Sequence, residues 1–439
     1  MIPLTASEIA VLCGGRTSAE ATLTGVQIDS RTVGPGDLFV ALPGEHTDGA
    51  RFAADALRAG AAAVLLGGTP GDPVPDERSI VVPDPLIALG QIAAEVRRRS
   101  AARVVGVTGS TGKTSTKDIL GAILGRRLRT VSSHANFNTE IGVPLTLCRA
   151  EPDTEAVVCE LAMRGLGQIA YLAEIARPDV AVITSIGPVH LEFVGTVAGV
   201  AEAKAEILQP LGPDETAVVP HGEPLLEPYL EMTRARVITF GERADADVRL
   251  AGIAAGRAEI ALRGRTITVP VNFDQHHNGL NLAAAVAACV GLGLDPEEEG
   301  MLAGAGEVEF SRLRGERLDL AGGGFVIADC YNANPVSMVA ALRHLVAVAG
   351  GRRAVAVLGE MAELGTAAAG LHAEVGREAE RLGVIIVAVG PLSRGYGGRW
   401  FADSAAVVDG LADVLEPGDA VLVKASRSAG LEAVVEALQ

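Results

Sequence analysis

A glycine-rich run, GVTGSTGKT, begins at Gly106 and carries the clearest chemical signature in this 439-residue chain. An apolar stretch predicts a strand before it and a helix after it, which is the setting of a phosphate-binding loop. Gly106, Gly109 and Gly112 would let backbone N–H groups point into one concavity around phosphate oxygens. Lys113 would add a positive charge for the β- and γ-phosphates, and Thr114 a hydroxyl for Mg²⁺. The run therefore predicts a nucleoside triphosphate site at a helix N-terminus.

This loop, residues 106–114, departs from the strict GxxxxGK[ST] pattern in one place. The pattern needs glycine at position 107, where this chain has Val107. The observed TGSTGKT is a shifted variant, which favours a particular subfamily over nucleotide hydrolases in general.

Four polar residues downstream have types that a nucleotide–metal site needs, and each has a simpler interpretation. Glu160 ends the apolar stretch AVVCEL, where a carboxylate would suit Mg²⁺, although it could be an exposed acid at a strand end. His190 in GPVHLE could bind a metal or substrate, or only form structural hydrogen bonds. Asn138 precedes a glycine and a proline, so a turn competes with phosphate contact. Lys204 lies among acids on a predicted helix, where a surface salt bridge is the default.

The segment DCYNANP carries a second polar cluster between a predicted strand and a helix. Asn334 followed by Pro335 is typical of a helix N-cap with proline in the first turn. Capping does not account for Asp329, Tyr331 and Asn332 beside it. Because a cap needs only one polar side chain, the cluster predicts a ligand site.

The elements that must position these residues alternate between strands and helices. The first hundred residues predict a small α/β unit. From Val104 onward, apolar strands alternate with helices, which predicts a parallel sheet covered on both faces. Residues 247–272 alternate with turns and predict an antiparallel excursion, followed by a long Ala-rich helix. A third α/β pattern begins near residue 310 and predicts a second doubly wound sheet. Its helices are predicted at residues 336–349, 368–382 and 405–415.

Composition limits the class of protein. The net charge of −17 disfavours non-specific binding to nucleic acid or to an anionic membrane, and aromatic residues make up only 3 %. Five scattered cysteines without CxxC spacing predict buried thiols in a reducing compartment. No apolar run reaches transmembrane length and the N-terminus has no basic signal segment, so a cytoplasmic protein is expected.

Nine motifs follow one another over nearly the whole chain. They are DSRTVGPGDLFVALPGEHTDGARF, TGSTGKTSTKD, NTEIGVPLT, SIGPVHLEFVG, EAKAEI, HNGLNLAAA, DCYNANPVSM, VLGEMAELG and VLVKASRSAGLE. Each is weak alone, but their order and spacing resemble the Mur ligase family. The pair DxYNANPxSM and VLGxMxELG is the most specific, and it resembles those members that add D-alanyl-D-alanine.

The resemblance implies three domains: a small N-terminal UDP-binding α/β domain at 1–100, a central parallel-sheet P-loop ATPase domain at 101–310 and a C-terminal Rossmann-like domain at 311–439. It implies an ATP- and Mg²⁺-dependent amide ligase that works through an acyl phosphate in peptidoglycan precursor synthesis. The expected partners are UDP-N-acetylmuramoyl-tripeptide and D-alanyl-D-alanine. Neither nucleic acid nor membrane insertion is expected, and the chain is expected to act as a monomer.

The resemblance also implies roles for individual residues. ATP binding is expected from Gly109, Ser110, Thr111, Gly112, Lys113, Thr114, Ser115, Asn138, Asn278, Asn281, Arg312, Asp329, Tyr331 and Asn332. Substrate binding is expected from Ser30, Arg31, Thr47, Asp48, Asn334, Lys424, Ser426 and Arg427. Catalytic roles are expected for Lys113, Glu160, His190 and Lys204, and metal binding for Thr114, Glu160, His190 and Lys204.

Two of these implied roles need comment. Lys204 matches a position that is carbamylated in several members of the family, which would turn a cation into a carboxylate-like group near a second Mg²⁺. Arg312 matches a hinge arginine that reaches ATP from the C-terminal side. Since the chain reads SRLRGE where many members have GR, Arg314 competes for that role.

Two other functions stay open from the residues alone. One is a different amide ligase of the same superfamily, for folylpolyglutamate or cyanophycin, which the UDP-type N-terminal segment disfavours. The other is a regulatory switch that hydrolyses ATP or GTP without an amino-acid acceptor, which the many polar strand ends disfavour.

Overall fold

The computed structural model describes residues 1–44, 47–69, 76–134 and 137–439 of the chain. Within these ranges the chain forms three successive α/β units, on sheets of five, nine and six strands, and a separate two-stranded pairing. The predicted α/β fold with three units is confirmed. Positions 45 and 46 of the motif around Thr47 lie outside the described residues.

The first unit has a sheet in the order β2-β7-β6-β5-β4, parallel except for the antiparallel pair β2–β7. Its elements are β1 Leu4–Thr5, α1 Ala6–Leu12, β2 Arg16–Thr17, β3 Thr22–Leu23, β4 Gly25–Gln27, β5 Asp37–Val40, α2 Ala53–Ala59, β6 Ala63–Gly67, β7 Ser79–Val82 and α3 Pro85–Arg99. Helix α3 begins where Asp84 accepts hydrogen bonds from two backbone N–H groups and Pro85 occupies the first turn. It leads directly to the central unit.

The central unit has nine strands in the order β16-β15-β14-β13-β12-β11-β8-β10-β9. Its elements are β8 Arg103–Thr108, α4 Lys113–Gly125, β9 Thr130–Ser132, α5 Gly142–Leu147, β10 Ala156–Glu160, α6 Gln168–Ala176, β11 Val180–Ile183, α7 Leu191–Val194, α8 Val197–Ala205, β12 Thr216–Pro220, α9 Glu227–Met232, β13 Arg236–Gly241, β14 Val248–Ala254, β15 Arg257–Leu262, β16 Arg265–Pro270 and α10 His276–Gly291. The pairs β14–β15 and β15–β16 are antiparallel, as predicted, and the other pairs are parallel.

Strand β8 lies between β10 and β11, so the chain leaves it toward one side of the sheet and later returns to the other. Such a reversal is a topological switch point, where a crevice opens at the carboxyl ends of the strands. Glu160 at the end of β10 pairs in register with Val107 of β8. The end of β11 lies on the other side of β8, so the loops after all three strands meet at this crevice.

The third unit has six strands in the order β17-β18-β22-β19-β20-β21, parallel except for the antiparallel pair β17–β18. Its elements are β17 Glu316–Asp319, β18 Phe325–Asp329, α11 Pro335–Val348, β19 Ala354–Gly359, α12 Ala368–Arg381, β20 Ile385–Val389, β21 Arg399–Phe401, α13 Ser404–Asp409, β22 Ala420–Lys424 and α14 Glu432–Leu438. The helix predicted at 405–415 is wrong in length. It ends before Gly410, where a side chain would collide with Phe401, and a short 3₁₀ turn follows.

Short 3₁₀ turns connect several elements: Gly49–Phe52, Glu206–Leu208, Met301–Gly306, Gly365–Ala367, Leu392–Tyr396, Leu411–Asp413 and Arg427–Ala429. The Ala-rich helix α10 is buried along most of its length and packs against α4 and the neighbouring strands, which its small side chains permit. All five cysteines are buried and unpaired, as predicted. Among the described residues, no helix has the length and apolar character needed to span a membrane.

Candidate functional site

The carboxyl ends of the central and C-terminal sheets border one cavity of about 1130 Å³. Loops after β8, β10 and β11 form one wall, and loops after β18, β19 and β22 form the other. The predicted residues that line it are Ser110, Thr111, Gly112, Lys113, Thr114, Ser115, Asn138, Glu160, His190, Asn281, Asp329, Tyr331, Asn332, Asn334, Lys424, Ser426 and Arg427. Residues far apart in the sequence thus meet at one site.

The phosphate loop is shorter than predicted. Gly106 lies inside β8, among apolar side chains, and does not belong to the loop. Gly109 and Gly112 have φ angles of 148° and 83°, which side chains rarely adopt, and a Cβ at Gly112 would overlap the Asn281 amide. Lys113 Nζ donates to the Gly109 carbonyl at 2.6 Å. The glycines are therefore required where the loop turns and where it meets α10.

Glu160 is buried, with only 2 % of its surface exposed, so the interpretation as an exposed strand-end acid is wrong. Its Oε1 accepts a hydrogen bond from Asn138 Nδ2 at 2.9 Å. Its Oε2 is buried and has no hydrogen-bond partner among the described residues. A buried carboxylate oxygen without a partner is costly, so this atom fits a cation ligand.

His190 is held by a carboxylate from the C-terminal unit. Its Nδ1 lies 2.5 Å from Glu363 Oε2. Burial, with the nearby charge of Lys113, lowers the pKa of His190 to about 4 although Glu363 opposes the shift. The imidazole is therefore neutral at pH 7 and offers a lone pair at Nε2.

Lys204 is not on the surface, so the surface salt-bridge interpretation is wrong. It is 1 % exposed, and no carboxylate of the described residues pairs with it. Burial and the charge of Lys113 lower its pKa well below the ordinary value. Burial also lowers the pKa of Lys113, with Glu160 opposing the shift. Lys204 does not line the cavity, but its charge acts on that of the cavity residue His190, so a buried amine with a lowered pKa lies close to the site.

The protein side chains at the site supply only some of the ligands that Mg²⁺ needs. Among the residues that the structure describes, no three His, Cys, Asp or Glu side chains are grouped to hold a metal ion by themselves. The unpartnered Glu160 oxygen and the buried, cavity-lining Thr114 provide oxygen ligands on the same wall. Mg²⁺ commonly takes one or two protein oxygens and completes its shell with water and substrate phosphates. The residues present fit that mode.

Two arginines near the hinge between the second and third units differ in position. Arg312 is exposed and does not line the cavity. Arg314 lines it, its guanidinium lies 4.2 Å from the Tyr331 ring centre, and its Nε is buried without a described partner. The geometry therefore favours Arg314 over Arg312 as the arginine that would reach ATP from the C-terminal side. Asn278 donates to Gln275 and accepts from Asn281, and of these two asparagines only Asn281 lines the cavity.

Most polar groups on the C-terminal wall of the cavity form hydrogen bonds or ion pairs with one another. Lys424 Nζ contacts Asp329 Oδ2 at 2.7 Å and donates to the Asn332 carbonyl. Ser426 accepts from the Ala362 N–H. Asn334 forms the predicted N-cap of α11. Tyr331, Asn332 and Arg427 remain the groups of this cluster most available to a ligand. Arg427 is mostly exposed, and its guanidinium lies 3.9 Å from Glu432 and 5.7 Å from the Tyr331 ring centre.

The predicted UDP-site residues lie outside the cavity. Ser30 and Arg31 follow β4, and Thr47 and Asp48 follow β5, so both pairs belong to loops at the same edge of the first sheet. Arg31 pairs with Asp29 on the surface, and Asp48 caps a 3₁₀ turn. The structure does not bring these four residues to the phosphate loop.

Sequence reasoning singled out neither Glu363 nor Arg164, although Glu363 lies in the VLGEMAELG motif. Thr184 and Ser185 were also missed: their hydroxyls contact the Thr111 carbonyl and hold the phosphate loop from the β11 side. Both lie at the end of an apolar strand, and Ser185 also begins the motif SIGPVHLEFVG, which are the signals that could have found them.

Three family models match the chain in order. They describe the Mur ligase family catalytic domain at residues 22–97, the Mur ligase middle domain at 107–289 and the Mur ligase glutamate ligase domain at 314–427. Relatives named UDP-N-acetylmuramoyl-tripeptide–D-alanyl-D-alanine ligase match over nearly full length. The Synechocystis protein is 36 % identical, covering 96 % of this chain and 93 % of its own. The Escherichia coli protein is 35 % identical, covering 100 % and 99 %.

Solved structures agree with this assignment. MurF from Acinetobacter baumannii superimposes with a TM-score of 0.88 at 29 % identity, covering 99 % of this chain and 98 % of its own. MurF from Thermotoga maritima, solved in complex with ADP, gives 0.82 at 29 % identity, covering 94 % and 96 %. With the family models and these relatives, the comparisons establish that the chain belongs to the Mur ligase family.

Proposed function

We propose that this chain is an ATP-dependent ligase that joins D-alanyl-D-alanine to UDP-N-acetylmuramoyl-tripeptide in peptidoglycan precursor synthesis. The observation that carries the proposal is the cavity between the two sheets. It has a phosphate loop on one wall and aromatic, amide and arginine groups on the other, as a reaction between ATP and two further substrates requires. The names of the full-length relatives support this choice of substrates.

In the first step, the terminal carboxylate of the tripeptide attacks the γ-phosphate of ATP, giving an acyl phosphate and ADP. Lys113 and the N-terminus of α4 stabilise negative charge on the phosphates. Arg314 approaches the same place from the C-terminal unit and is assigned the hinge role in preference to Arg312. Both residues line the cavity, and the charge of Arg314 helps to lower the pKa of Lys113, which supports their acting on one phosphate chain.

Mg²⁺, when bound, neutralises charge on the phosphoryl group being transferred. Thr114 and Glu160 would hold one ion, and His190 with carbamylated Lys204 would serve a second. Carbamylation requires a neutral amine: its nitrogen forms a bond to the carbon of CO₂ and releases one proton. The lowered pKa of buried Lys204 supports this reaction.

In the second step, the amine of D-alanyl-D-alanine attacks the acyl carbon, and a tetrahedral intermediate collapses with release of phosphate. Arg427, with Tyr331 and Asn332 beside it, is suited to bind the dipeptide and its carboxylate. The two walls exclude water from the acyl phosphate when the units close.

The UDP-muramoyl portion would bind at the loops of the first unit that contain Ser30, Arg31, Thr47 and Asp48. We place the domains at 1–100, 101–310 and 311–439, with the reaction between the second and third. The enzyme is proposed to act in the cytoplasm as a monomer.

The test is a coupled assay of phosphate release with UDP-tripeptides that end in diaminopimelate or lysine, with and without D-alanyl-D-alanine. A ligase releases phosphate only when the dipeptide is present and forms the pentapeptide product. Phosphate release that is independent of the dipeptide would instead indicate a hydrolytic switch, and release that depends on another acceptor would indicate a different amide ligase.

A further inference from the structure

The C-terminal unit reaches the central unit through the loop of residues 360–365, which follows β19. Glu363 is the residue of this loop that contacts the central unit most extensively. Its two carboxylate oxygens lie 2.5 Å from His190 Nδ1 and 3.3 Å from Arg164 Nε. Its backbone carbonyl accepts a hydrogen bond from the Glu192 N–H at 3.2 Å. One residue therefore makes three separate contacts across the two units.

Both partners of the main contact have an unusual backbone. His190 and Glu363 have φ angles of 54° and 60°, in the left-handed region that residues other than glycine rarely adopt. Such strain persists only where the surroundings fix it, and it is concentrated at functional sites. Two residues with strained backbones are joined here through their side chains. We infer from this that the contact has a functional role.

The loop is also fixed from behind by its own unit. The Met361 N–H donates to His372 Nε2 at 3.0 Å, and the Ala362 N–H donates to Ser426 Oγ at 2.9 Å. His372 and Ser426 are buried. Because the two backbone N–H groups before Glu363 are hydrogen-bonded to buried side chains of the same unit, the loop that carries its carboxylate is fixed to the C-terminal unit.

The contact decides which nitrogen of His190 carries the proton. A carboxylate only accepts hydrogen bonds, so Nδ1 is the N–H donor to Glu363 and Nε2 keeps its lone pair. A carboxylate in this place fixes the ring orientation and makes the other nitrogen a better ligand, as it does beside many metal-binding histidines.

We propose that Glu363 is a positioning residue that orients His190 for metal binding only when the C-terminal unit has closed over the phosphate loop. Domain closure then completes the metal site, because the orienting carboxylate and the ligand belong to different units. This inference rests on the proposed function insofar as His190 serves a metal ion beside ATP.

The test measures binding of Mn²⁺, as a paramagnetic substitute for Mg²⁺, to the full chain with ADP by electron paramagnetic resonance. Glu363→Ala is expected to weaken Mn²⁺ binding by about 10- to 100-fold. Glu363→Gln, which keeps the size of the side chain and one acceptor oxygen, is expected to fall in between. Glu374→Ala is the matched control, since it removes an exposed glutamate from α12 of the same unit. It should bind Mn²⁺ as the wild type does.

A double-mutant cycle separates positioning from general damage. In a His190→Ala background, Glu363→Ala should weaken binding no further, because its only route to the metal is the imidazole. Unchanged Mn²⁺ affinity in both Glu363 variants, or full additivity with His190→Ala, would overturn the inference. If Glu363→Ala does not fold, Glu363→Gln carries the same comparison.

Small-angle X-ray scattering of the ADP–Mn²⁺ complex tests closure. Glu363→Ala should increase the radius of gyration relative to the wild type and Glu374→Ala, and an unchanged radius would overturn the link to closure. None of these measurements uses an acceptor substrate. A failure of the ligase proposal would appear as dipeptide-independent phosphate release, and so is distinguishable from a failure of this inference.

Discussion

Lys117 and Lys204 are two buried lysines of the central unit, and they differ in how the cost of burying a charged ammonium group is met. They are 2 % and 1 % exposed. Lys117 Nζ lies 2.7 Å from Asp118 Oδ1 and donates to the Ser133 carbonyl at 3.0 Å, which offsets the cost of burying its charge. Lys204 has no such partner among the described residues and favours its neutral form. We infer a structural role for the satisfied lysine, whereas the unsatisfied one is the lysine proposed to take part in chemistry.

The surroundings of Lys117 extend to the hinge. Asp118 Oδ2 accepts hydrogen bonds from the backbone N–H and the hydroxyl of Ser311, three residues before Arg314. On the other side, Ser133 Oγ accepts from the Glu160 N–H. The paired lysine therefore links the helix that follows the phosphate loop to both the hinge and the strand end that carries Glu160.

Of the three lysines, Lys113 is expected to show the largest loss of activity when it is replaced. The effects of replacing Lys117 and Lys204 are compared with that loss. Lys113→Ala should reduce ligation by about 10²- to 10³-fold, because a charge aimed at the transferring phosphate is lost. Binding of the UDP-tripeptide, measured by isothermal titration calorimetry, should survive, since the proposed UDP site lies outside the cavity. Near-normal turnover in this variant would refute the phosphate-loop assignment.

Lys117→Met tests the structural half of the comparison. It leaves the Asp118 charge largely buried without its partner, so the free energy of unfolding should fall by about 3–5 kcal/mol. Urea denaturation monitored by circular dichroism measures this loss. Arg381→Ala, which removes an exposed arginine from a surface pair with Glu378, is the control and should change the stability little. Wild-type stability of Lys117→Met would break the comparison.

Lys204→Met tests the chemical half. Ligation should fall by about 10²-fold because a metal-site group is lost, whereas the free energy of unfolding should stay unchanged or rise, since no ion pair is broken. In ¹³C-bicarbonate, the wild type should show a carbamate resonance that this variant lacks. Full activity of enzyme whose Lys204 is shown by mass spectrometry to be unmodified in bicarbonate would contradict the carbamylation proposal.

The sequence predicted those parts of the site that are local in the chain. The strand, glycine loop, lysine and helix around Lys113 follow one another, so their pattern predicts their geometry. Glu160 and the cluster at Asp329 were predictable because each follows an apolar strand, and parallel strands bring their carboxyl ends together. Even here the loop was predicted too long, since Gly106 gives no sign that it lies within the strand.

The parts that the sequence could not predict depend on distant packing. Glu363 meets His190 across 173 positions, and neither left-handed backbone has a local signature. Arg312 and Arg314 are two positions apart, and only the path of the backbone between the second and third units decides which of them faces the cavity. The acids around Lys204 favoured a surface helix, but the fold buries this lysine in α8, which packs against α6 and α7.

His372 extends the comparison to a buried base that is satisfied only when neutral. Its Nε2 accepts the Met361 N–H, and burial lowers the pKa of its imidazole below the ordinary value. The unfolded chain takes up a proton near pH 6.5 and the folded chain only at lower pH, so this contribution to stability is present above pH 6.5 and lost as pH falls. Urea unfolding at several pH values should show a smaller acid loss in His372→Gln. An identical pH dependence in both proteins would show that His372 does not hold the Glu363 loop through its neutral form.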